Sequence, residues 1–409
     1  MNSKERMRAA MDHGKPDRVA VMCQLALGHY FLNCAYRPSD IWFDPDTFAA
    51  ALVERQRRYR FDGILVNIPG RPPDWRNRIK SRQNVQGAEH ICWESGLETI
   101  VPADDNAQTF SPGGARLPRA NYLTVDVNDP HVQRLPGCVW NTWHMPELWG
   151  IAPEADLSDP SAYPKWFTRT LEKVQQCAPD VSVHVEVFSP FTHLMELFGY
   201  EQALMALVDA PETCHRALSV FTKNVLAQVQ LYAACRPDAV LVSSAFAGAG
   251  FISRPMYKEF VAPYEDQVFR AIRVGAGPRA CPNSLGNHGG LPLPSYVHTC
   301  GAIGDRLDLM AETSVDGIDT LDPPPLGTVD LAQAKAEYGR RFFFKGNLDA
   351  VNEMLHADDA TFERAVRDRL RIGKPGSGYI LSSACSVAPH VKPDRLQRLV
   401  QLAEEFGRY

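Results

Sequence analysis

The feature that most constrains the fold is a regular alternation of short apolar segments with longer amphipathic ones along the 409 residues. The apolar segments are rich in Val, Ile, Leu and Phe, which is typical of strands buried on both faces in a parallel sheet. Strands are therefore predicted at residues 19–24, 63–68, 181–187, 239–244, 295–300, 317–321, 341–347 and 378–384. Helices are predicted at residues 3–13, 47–59, 163–176, 211–234, 255–272, 329–338, 360–371 and 393–406.

Eight strand–helix repeats predict an α/β fold, a (β/α)8 or TIM barrel, in which residues 1–409 form a single domain. A doubly wound open sheet is the alternative. Residues 69–160 interrupt the repeat with many Pro, Trp, Asp and Asn residues, and we interpret them as an irregular insertion after the second strand. The insertion is expected either to cover the barrel mouth or to form a homodimer contact. Residues 275–294, rich in Gly and Pro, are predicted to be a second long loop.

Within the insertion, residues 90–93 and 98–101 flank a turn and predict a β-hairpin. Five tryptophans also fall in this region, and we expect them to form a small core of the insertion itself. They are Trp75, Trp93, Trp140, Trp143 and Trp149.

Composition excludes several classes of protein. With 43 Lys+Arg against 48 Asp+Glu, the net charge of -5 argues against a nucleic-acid partner, which a strongly basic surface would favour. The ten cysteines are irregularly spaced and form no CxxC pair, so we expect free thiols in a reducing compartment. The N-terminus is charged and no apolar run reaches about 18 residues, so we expect a cytoplasmic protein without a membrane span.

Three candidate metal ligands lie at the ends of two predicted strands, where the active sites of such barrels are found. His298 and Cys300 are two residues apart, so in a strand both side chains point to one face. Cys385 follows the eighth strand at the equivalent place. One imidazole and two thiolates would form a zinc site with one open position, as in catalytic zinc centres. The alternative is that the cysteines are buried hydrophobes and the histidine is structural.

Further candidates line the predicted barrel. His184 and Glu186 lie on one face of the third strand as candidate catalytic residues, because a carboxylate in an apolar strand needs a partner. Glu186 is interpreted as a proton acceptor, a partner of a metal ligand or a fourth ligand, with an internal salt bridge as the alternative.

Three more strand-end residues, Ser243, Asp319 and Asn347, are predicted to contact a cofactor or ligand. For the nearby Asp322 and Asp349 we favour helix capping. Tyr257 is a weaker candidate proton donor, because we expect it on a helix outside the barrel.

The sequence resembles the uroporphyrinogen decarboxylase superfamily. The resemblance rests on residues 4–10 (Lys-Glu-Arg-Met-Arg-Ala-Ala) and residues 16–21 (Pro-Asp-Arg-Val-Ala-Val). Residues 298–301 (His-Thr-Cys-Gly) and 385–389 (Cys-Ser-Val-Ala-Pro) resemble the His-x-Cys…Cys zinc signature of its methyltransferase branch, which includes corrinoid-linked and coenzyme M enzymes.

The resemblance implies zinc held by His298, Cys300 and Cys385. It also implies a methyl or alkyl transferase in which a zinc-activated thiolate takes the group, with cobalamin free or on a corrinoid protein partner. The thiol and the alkyl donor are expected to be small molecules. Two alternatives stay open, namely a decarboxylase or lyase of the porphyrinogen type and a non-catalytic corrinoid- or thiol-binding partner.

One departure from the family pattern argues against decarboxylation. True uroporphyrinogen decarboxylases carry an Arg-Gln-Ala-Gly-Arg segment after the first strand, which helps to hold a substrate with many carboxylates. Here no arginine occurs between Arg18 and Arg37. The porphyrinogen carboxylates would therefore lack these cationic partners.

Overall fold

The computed structural model describes residues 1–275 and 292–409. These residues contain twelve strands: β1 (Ala20–Val21), β2 (Gly63–Val66), β3 (Ile79–Val85), β4 (Ala88–Trp93), β5 (Glu98–Val101), β6 (Gln108–Phe110), β7 (Ser182–Phe188), β8 (Ala239–Ser243), β9 (Ser295–His298), β10 (Gly317–Thr320), β11 (Phe343–Leu348) and β12 (Tyr379–Ser383).

Eight of these strands form one parallel sheet in the order β1-β12-β11-β10-β9-β8-β7-β2. Strands that follow one another in the barrel repeat are neighbours, and the sheet curls until its two edge strands meet. The backbone N–H of Asp62 donates to the carbonyl of Val21 at 2.7 Å across this seam. The buried Asp62 carboxylate also accepts from the Val21 N–H at 2.8 Å and pairs with Arg6 and Arg18. The predicted (β/α)8 barrel is confirmed.

Fifteen α-helices occur in the described part of the chain. They are α1 (Ser3–Met11), α2 (Leu27–Asn33), α3 (Pro38–Phe43), α4 (Pro45–Tyr59), α5 (Pro146–Trp149), α6 (Arg169–Cys177), α7 (Pro190–Phe198), α8 (Tyr200–Asp209), α9 (Pro211–Ala234), α10 (Arg254–Phe260), α11 (Ala262–Gly275), α12 (Leu307–Ala311), α13 (Leu331–Tyr338), α14 (Asp359–Gly373) and α15 (Pro393–Phe406). In these residues no helix is long and apolar enough to cross a membrane.

Two helix predictions are wrong in detail. The helix predicted at 255–272 is two helices that break at Val261. Pro263 has no N–H to bond the carbonyl four residues earlier, and its ring crowds that carbonyl, so a continuous helix is disfavoured here. The helix predicted at 163–176 begins only at Arg169, after a single 3-10 turn at Lys165–Thr168.

The barrel interior is mainly apolar at its N-terminal end and more polar towards its C-terminal end. Met7 and Met11 of α1 close the N-terminal end, where they join a cluster with Tyr296 and Phe343 from the strands. These side chains are 4% exposed or less.

The insertion contains an antiparallel sheet of four strands, β3-β4-β5-β6, and includes the predicted hairpin as β4 and β5. Its tryptophans do not form a separate core. Trp75 and Trp93 both contact Phe43 of α3, with ring centroids 5.3 and 5.1 Å apart. Trp143 contacts Trp42 of the same helix at 5.4 Å. The insertion and the barrel helices therefore share one core.

The insertion also reaches the barrel mouth. The ring of Trp140 lies 5.4 Å from that of Phe188, the last residue of β7, and 5.3 Å from that of Phe246, which follows β8. The second predicted loop, with Cys281 and His288, falls largely on residues 276–291, which lie outside the described residues.

Candidate metal centre

The three predicted ligands converge at the barrel mouth. His298 is the last residue of β9, and Cys385 lies two residues beyond β12. The predicted strand 295–300 ends at His298, so strand alternation does not orient Cys300. A loop turns Cys300 back instead, with Gly301 at φ +76° and its N–H donating to the Asp322 carboxylate at 2.6 Å.

The three ligand atoms form a tight triangle. Nε2 of His298 lies 3.3 Å from the Cys300 sulfur and 3.9 Å from the Cys385 sulfur, and the two sulfurs are 3.7 Å apart. A tetrahedral zinc with Zn–S bonds of about 2.3 Å and Zn–N of about 2.05 Å would set about 3.8 Å between sulfurs and about 3.6 Å between sulfur and nitrogen. The observed edges match these values, so the residues fit zinc.

Within the described residues this is the single group of three or more His, Cys, Asp or Glu side chains whose ligand atoms lie close enough to share an ion, within 4.8 Å of one another. The sulfurs are far beyond the roughly 2.05 Å of a disulfide. Nine of the ten cysteines fall in the described part of the chain, and no disulfide joins any two of these nine.

A buried ion pair orients His298. Its Nδ1 lies 3.0 Å from Asp319 Oδ2, and Lys345 Nζ donates to Asp319 Oδ1 at 2.8 Å. Burial alone would raise the pKa of Asp319, but Lys345 and His298 hold it at about 2. The ionised carboxylate accepts the Nδ1–H and so directs Nε2 at the sulfurs, where it would offer its lone pair to a metal once its proton is displaced.

Without a metal the triangle holds protons. A hydrogen bond between the two thiols raises the pKa of Cys300 and lowers that of Cys385. Burial lowers the pKa of His298, but Asp319 and Cys385 outweigh it and raise it to about 10. A cation that binds here would displace these protons, so its affinity is expected to rise with pH.

Glu186 lies near the triangle on β7. Its side chain is 8% exposed, and Oε2 has no hydrogen-bond partner. Burial raises the pKa of Glu186 to about 7, while His298 and the Ser243 hydroxyl lower it. Ser243 ends β8 directly beside His298 in the sheet. Glu186 is therefore a buried carboxyl group with one free oxygen next to the triangle.

Two other predicted site residues have their polar atoms occupied elsewhere. His184 lies 3.0 Å from the Ser182 hydroxyl and 2.8 Å from the Tyr296 hydroxyl, so both ring nitrogens are used inside the barrel. Asn347 donates to the carbonyl of Leu321 at 2.9 Å and accepts from Arg369 of α14 at 3.2 Å. The structure does not bring either side chain to the triangle, and their assigned roles stay predictions.

The sequence analysis does not identify Lys345 as a site residue, and its prediction that Asp322 caps a helix is wrong. The signal for Lys345 is its place within an apolar strand, because a lysine buried there needs a carboxylate as its partner. Asp322 was expected to cap a helix but holds the loop after Cys300. Asp349 does cap the following turn, because its carboxylate accepts from the N–H groups of Val351 and Asn352. Tyr257 lies in α10, outside the barrel as expected.

Comparison with solved structures shows the same overall fold in another protein. A methyltransferase from Methanosarcina mazei aligns over 99% of both chains with a TM-score of 0.66 and 12% sequence identity. At this identity the likeness concerns the fold alone.

Sequence comparison identifies the family of the chain. The protein named uroporphyrinogen decarboxylase from Cellvibrio japonicus is 26% identical over 208 residues, which are 51% of this chain and 52% of that protein. The protein of the same name from Vesicomyosocius okutanii is 26% identical over 202 residues, 49% of this chain and 52% of that protein. The chain thus spans about half the length of these curated relatives. A family model described as uroporphyrinogen decarboxylase (URO-D) matches residues 154–406, more than half of the chain. The chain belongs to the uroporphyrinogen decarboxylase family.

Proposed function

We propose that the protein is a zinc-dependent methyl or alkyl transferase in which a thiol bound at the His298, Cys300 and Cys385 site takes the methyl or alkyl group. The observation that carries the proposal is the triangle of ligand atoms, with edges of 3.3, 3.7 and 3.9 Å. Three protein ligands leave a fourth tetrahedral position for a substrate.

The donor set suits this chemistry. Two thiolates and a neutral imidazole balance the charge of a divalent cation, so the open position does not require an anionic protein ligand. Bound zinc would lower the pKa of a coordinated thiol so that it reacts as a thiolate at neutral pH, where a free thiol of pKa about 8.5 is mostly protonated.

Other residues of the chain would orient His298, accept a proton and exclude water. Asp319, held by Lys345, keeps His298 in the tautomer that offers Nε2 to the metal. Glu186, a neighbour of Ser243 and His298 with one unpartnered oxygen, would receive the proton of the incoming thiol. Trp140 of the insertion covers the neighbouring strand ends and helps to exclude water.

The alkyl donor is proposed to be methylcobalamin-linked. The chain has no Asp-x-His-x-x-Gly segment of the kind that binds cobalamin, so a corrinoid would arrive free or on a partner protein. The fold similarity to a methyltransferase agrees with this proposal at the level of the barrel.

A porphyrinogen decarboxylase is the second candidate, because the curated relatives are named uroporphyrinogen decarboxylase. The chain matches about half the length of each of them. Against it stands the lack of arginine between Arg18 and Arg37, together with two cysteines that a metal-free decarboxylation would not use. A non-catalytic corrinoid- or thiol-binding partner would share the zinc site but show no turnover.

The test combines metal analysis with turnover. We expect about one zinc per chain in the purified protein, lost in Cys300→Ala and Cys385→Ala and kept in Cys214→Ala, a buried cysteine of α9. Methylcobalamin and 2-mercaptoethanol should give cob(I)alamin, measured by absorbance, only in zinc-containing protein. Full zinc content in both ligand variants, or porphyrinogen decarboxylation by metal-free protein, would contradict the proposal.

A further inference from the structure

The loop that follows β8 lies against the backbone of Cys300. This β8 loop (residues 244–253) contains Gly248, where a Cβ atom would lie 2.5 Å from the carbonyl oxygen of Cys300. A carbon atom and a carbonyl oxygen normally stay about 3.3 Å or more apart. Position 248 therefore accepts no side chain while Cys300 keeps its place.

The need for glycine at position 248 is steric. Gly248 does not have the positive φ that favours glycine, so its backbone conformation does not exclude an L residue. The same holds for Gly250 of the same loop, but a Cβ atom there would meet no described atom within 4 Å beyond its chain neighbours. The two glycines are thus a matched pair that differs in the contact with Cys300.

Arg306 fixes the β8 loop on both sides of Gly248. Its buried guanidinium donates to the carbonyl of Ala247 at 2.6 Å and to that of Ile252 at 3.2 Å. The same guanidinium lies 5.4 Å from the ring centroid of Tyr257. A loop held at both ends has little room to retreat, so a methyl group at position 248 would displace Cys300 instead.

The loop that carries Cys300 is held between two neighbours. On one side, the N–H of Ala249 in the β8 loop donates to the carbonyl of Ala302 at 2.7 Å. On the other side, the Asp322 carboxylate accepts from the Gly301 N–H at 2.6 Å. The position of Cys300 is therefore set by the loops after β8 and β10 together.

The metal site tolerates little movement of Cys300. Its sulfur lies 3.3 Å from His298 Nε2 and 3.7 Å from the Cys385 sulfur. Relief of the contact at position 248 would need a shift of about 0.8 Å, from 2.5 Å to about 3.3 Å. Zinc–ligand distances hold to within about 0.2 Å. A Cys300 displaced by this amount would be a poor zinc ligand.

We propose that Gly248 positions Cys300 as a metal ligand, so that the β8 loop sets the geometry of a cysteine that follows β9. Gly248 has no functional group and acts only through the space that it leaves for the Cys300 carbonyl. If the proposed function holds, the β8 loop also controls alkyl transfer through zinc retention. That consequence rests on the proposed function, whereas the placement of the Cys300 sulfur does not.

The zinc affinity of matched glycine variants tests the proposal. Chelator competition on the full chain compares the wild type with Gly248→Ala and Gly250→Ala. We expect Gly248→Ala to bind zinc about 10–100-fold more weakly, the loss that is typical when the support of a ligand is disturbed. Gly250→Ala should stay within about twofold of the wild type, because its methyl group meets no neighbour among the described residues.

A probe that needs no zinc tests the position of the sulfur directly. Phenylarsine oxide bridges two thiols that lie close together and releases one water as the two As–S bonds form. In metal-free wild type it should bridge Cys300 and Cys385, whose sulfurs are 3.7 Å apart, and mass spectrometry should show that Cys300→Ala lacks this adduct. Gly248→Ala should form the adduct at least about tenfold more slowly, because the sulfur is misplaced. Gly250→Ala should form it at the wild-type rate.

Two further readouts separate positioning from a purely structural role. Overpacking typically costs about 1–3 kcal/mol, so Gly248→Ala should still fold, as judged by circular dichroism. Asp322→Ala should weaken zinc binding as well, and its loss should not add fully to that of Gly248→Ala in the double variant, because both act on one loop. Asp322→Asn, which keeps an oxygen for the Gly301 N–H, should lie closer to the wild type.

The outcomes decide between the two claims. Gly248→Ala with the zinc affinity and adduct rate of Gly250→Ala would overturn the proposal, and so would losses that add fully in the double variant. A Gly248→Ala chain that does not fold would overturn it too, because position 248 would then support the barrel rather than the ligand. If the wild type holds no zinc but the adduct rates differ as expected, the proposed function fails and the placement of Cys300 by Gly248 stands.

Discussion

The Lys345–Asp319 pair gives the sharpest test of how the barrel interior is built. Nζ and Oδ1 are 2.8 Å apart, and each residue is 2% exposed. Lys345→Met breaks the buried pair and leaves the Asp319 carboxylate with only the His298 Nδ1–H as its partner, and breaking a buried pair typically costs about 3–5 kcal/mol. For a chain of this length that corresponds to a fall in melting temperature of about 5 °C.

The double variant Lys345→Met/Asp319→Asn removes both charges and keeps an oxygen for the His298 Nδ1–H. It should recover most of the lost stability, because no unpaired charge is left buried. Urea unfolding, followed by tryptophan fluorescence and checked for reversibility, measures both variants against the wild type. Lys335→Met, a lysine of α13 whose Nζ donates to the Ser377 carbonyl, serves as the control. A Lys345→Met variant as stable as the wild type, or a double variant less stable than both singles, would refute the reasoning.

Three further outcomes follow from buried carboxyl groups. Asp319→Ala should weaken zinc binding about 10–100-fold in chelator competition, because His298 loses the acceptor that fixes its tautomer, and unchanged affinity would count against that role. Burial raises the pKa of Glu265 to about 7 from its ordinary 4.5, so the folded form holds its proton more tightly and the free energy of unfolding falls as pH rises between these values. Glu265→Gln should therefore have a free energy of unfolding about 2–3 kcal/mol above that of the wild type at pH 8 and equal to it near pH 4. Parallel plots of the free energy of unfolding against pH for the two proteins would contradict this. Glu186→Gln should slow alkyl transfer about 100-fold with zinc content unchanged, measured by single-turnover kinetics, and an unaltered rate would remove Glu186 from the reaction.

Most of the barrel could be predicted from the sequence because parallel strands buried on both faces carry continuous apolar runs. Helices α7 and α8 were missed for a related reason. Residues Pro190–Phe198 are mostly apolar and buried on nearly every side, so this helix lacks the solvent-exposed polar face by which the other helices are predicted. Gly199, at φ +79°, then separates two short helices where a single long one would have been easier to detect.

The metal triangle could be predicted because its members lie next to strand ends, where chain position fixes spatial position. The contacts that support it could not be assigned from the sequence, although a lysine within an apolar strand indicates a buried partner. The contact of Lys345 with Asp319 joins neighbouring strands, and the geometry at Cys300 depends on a loop held by Asp322. Such features arise from tertiary packing.

X-ray absorption at the zinc edge tests the central claim most directly. The purified protein should contain zinc with two sulfur ligands at about 2.3 Å and one imidazole nitrogen at about 2.0–2.1 Å, the remaining position being filled by a light atom. Addition of 2-mercaptoethanol should raise the sulfur count from two to three. A site without zinc, or a sulfur count that does not change when the thiol is added, would contradict the account of a zinc centre that activates a thiol.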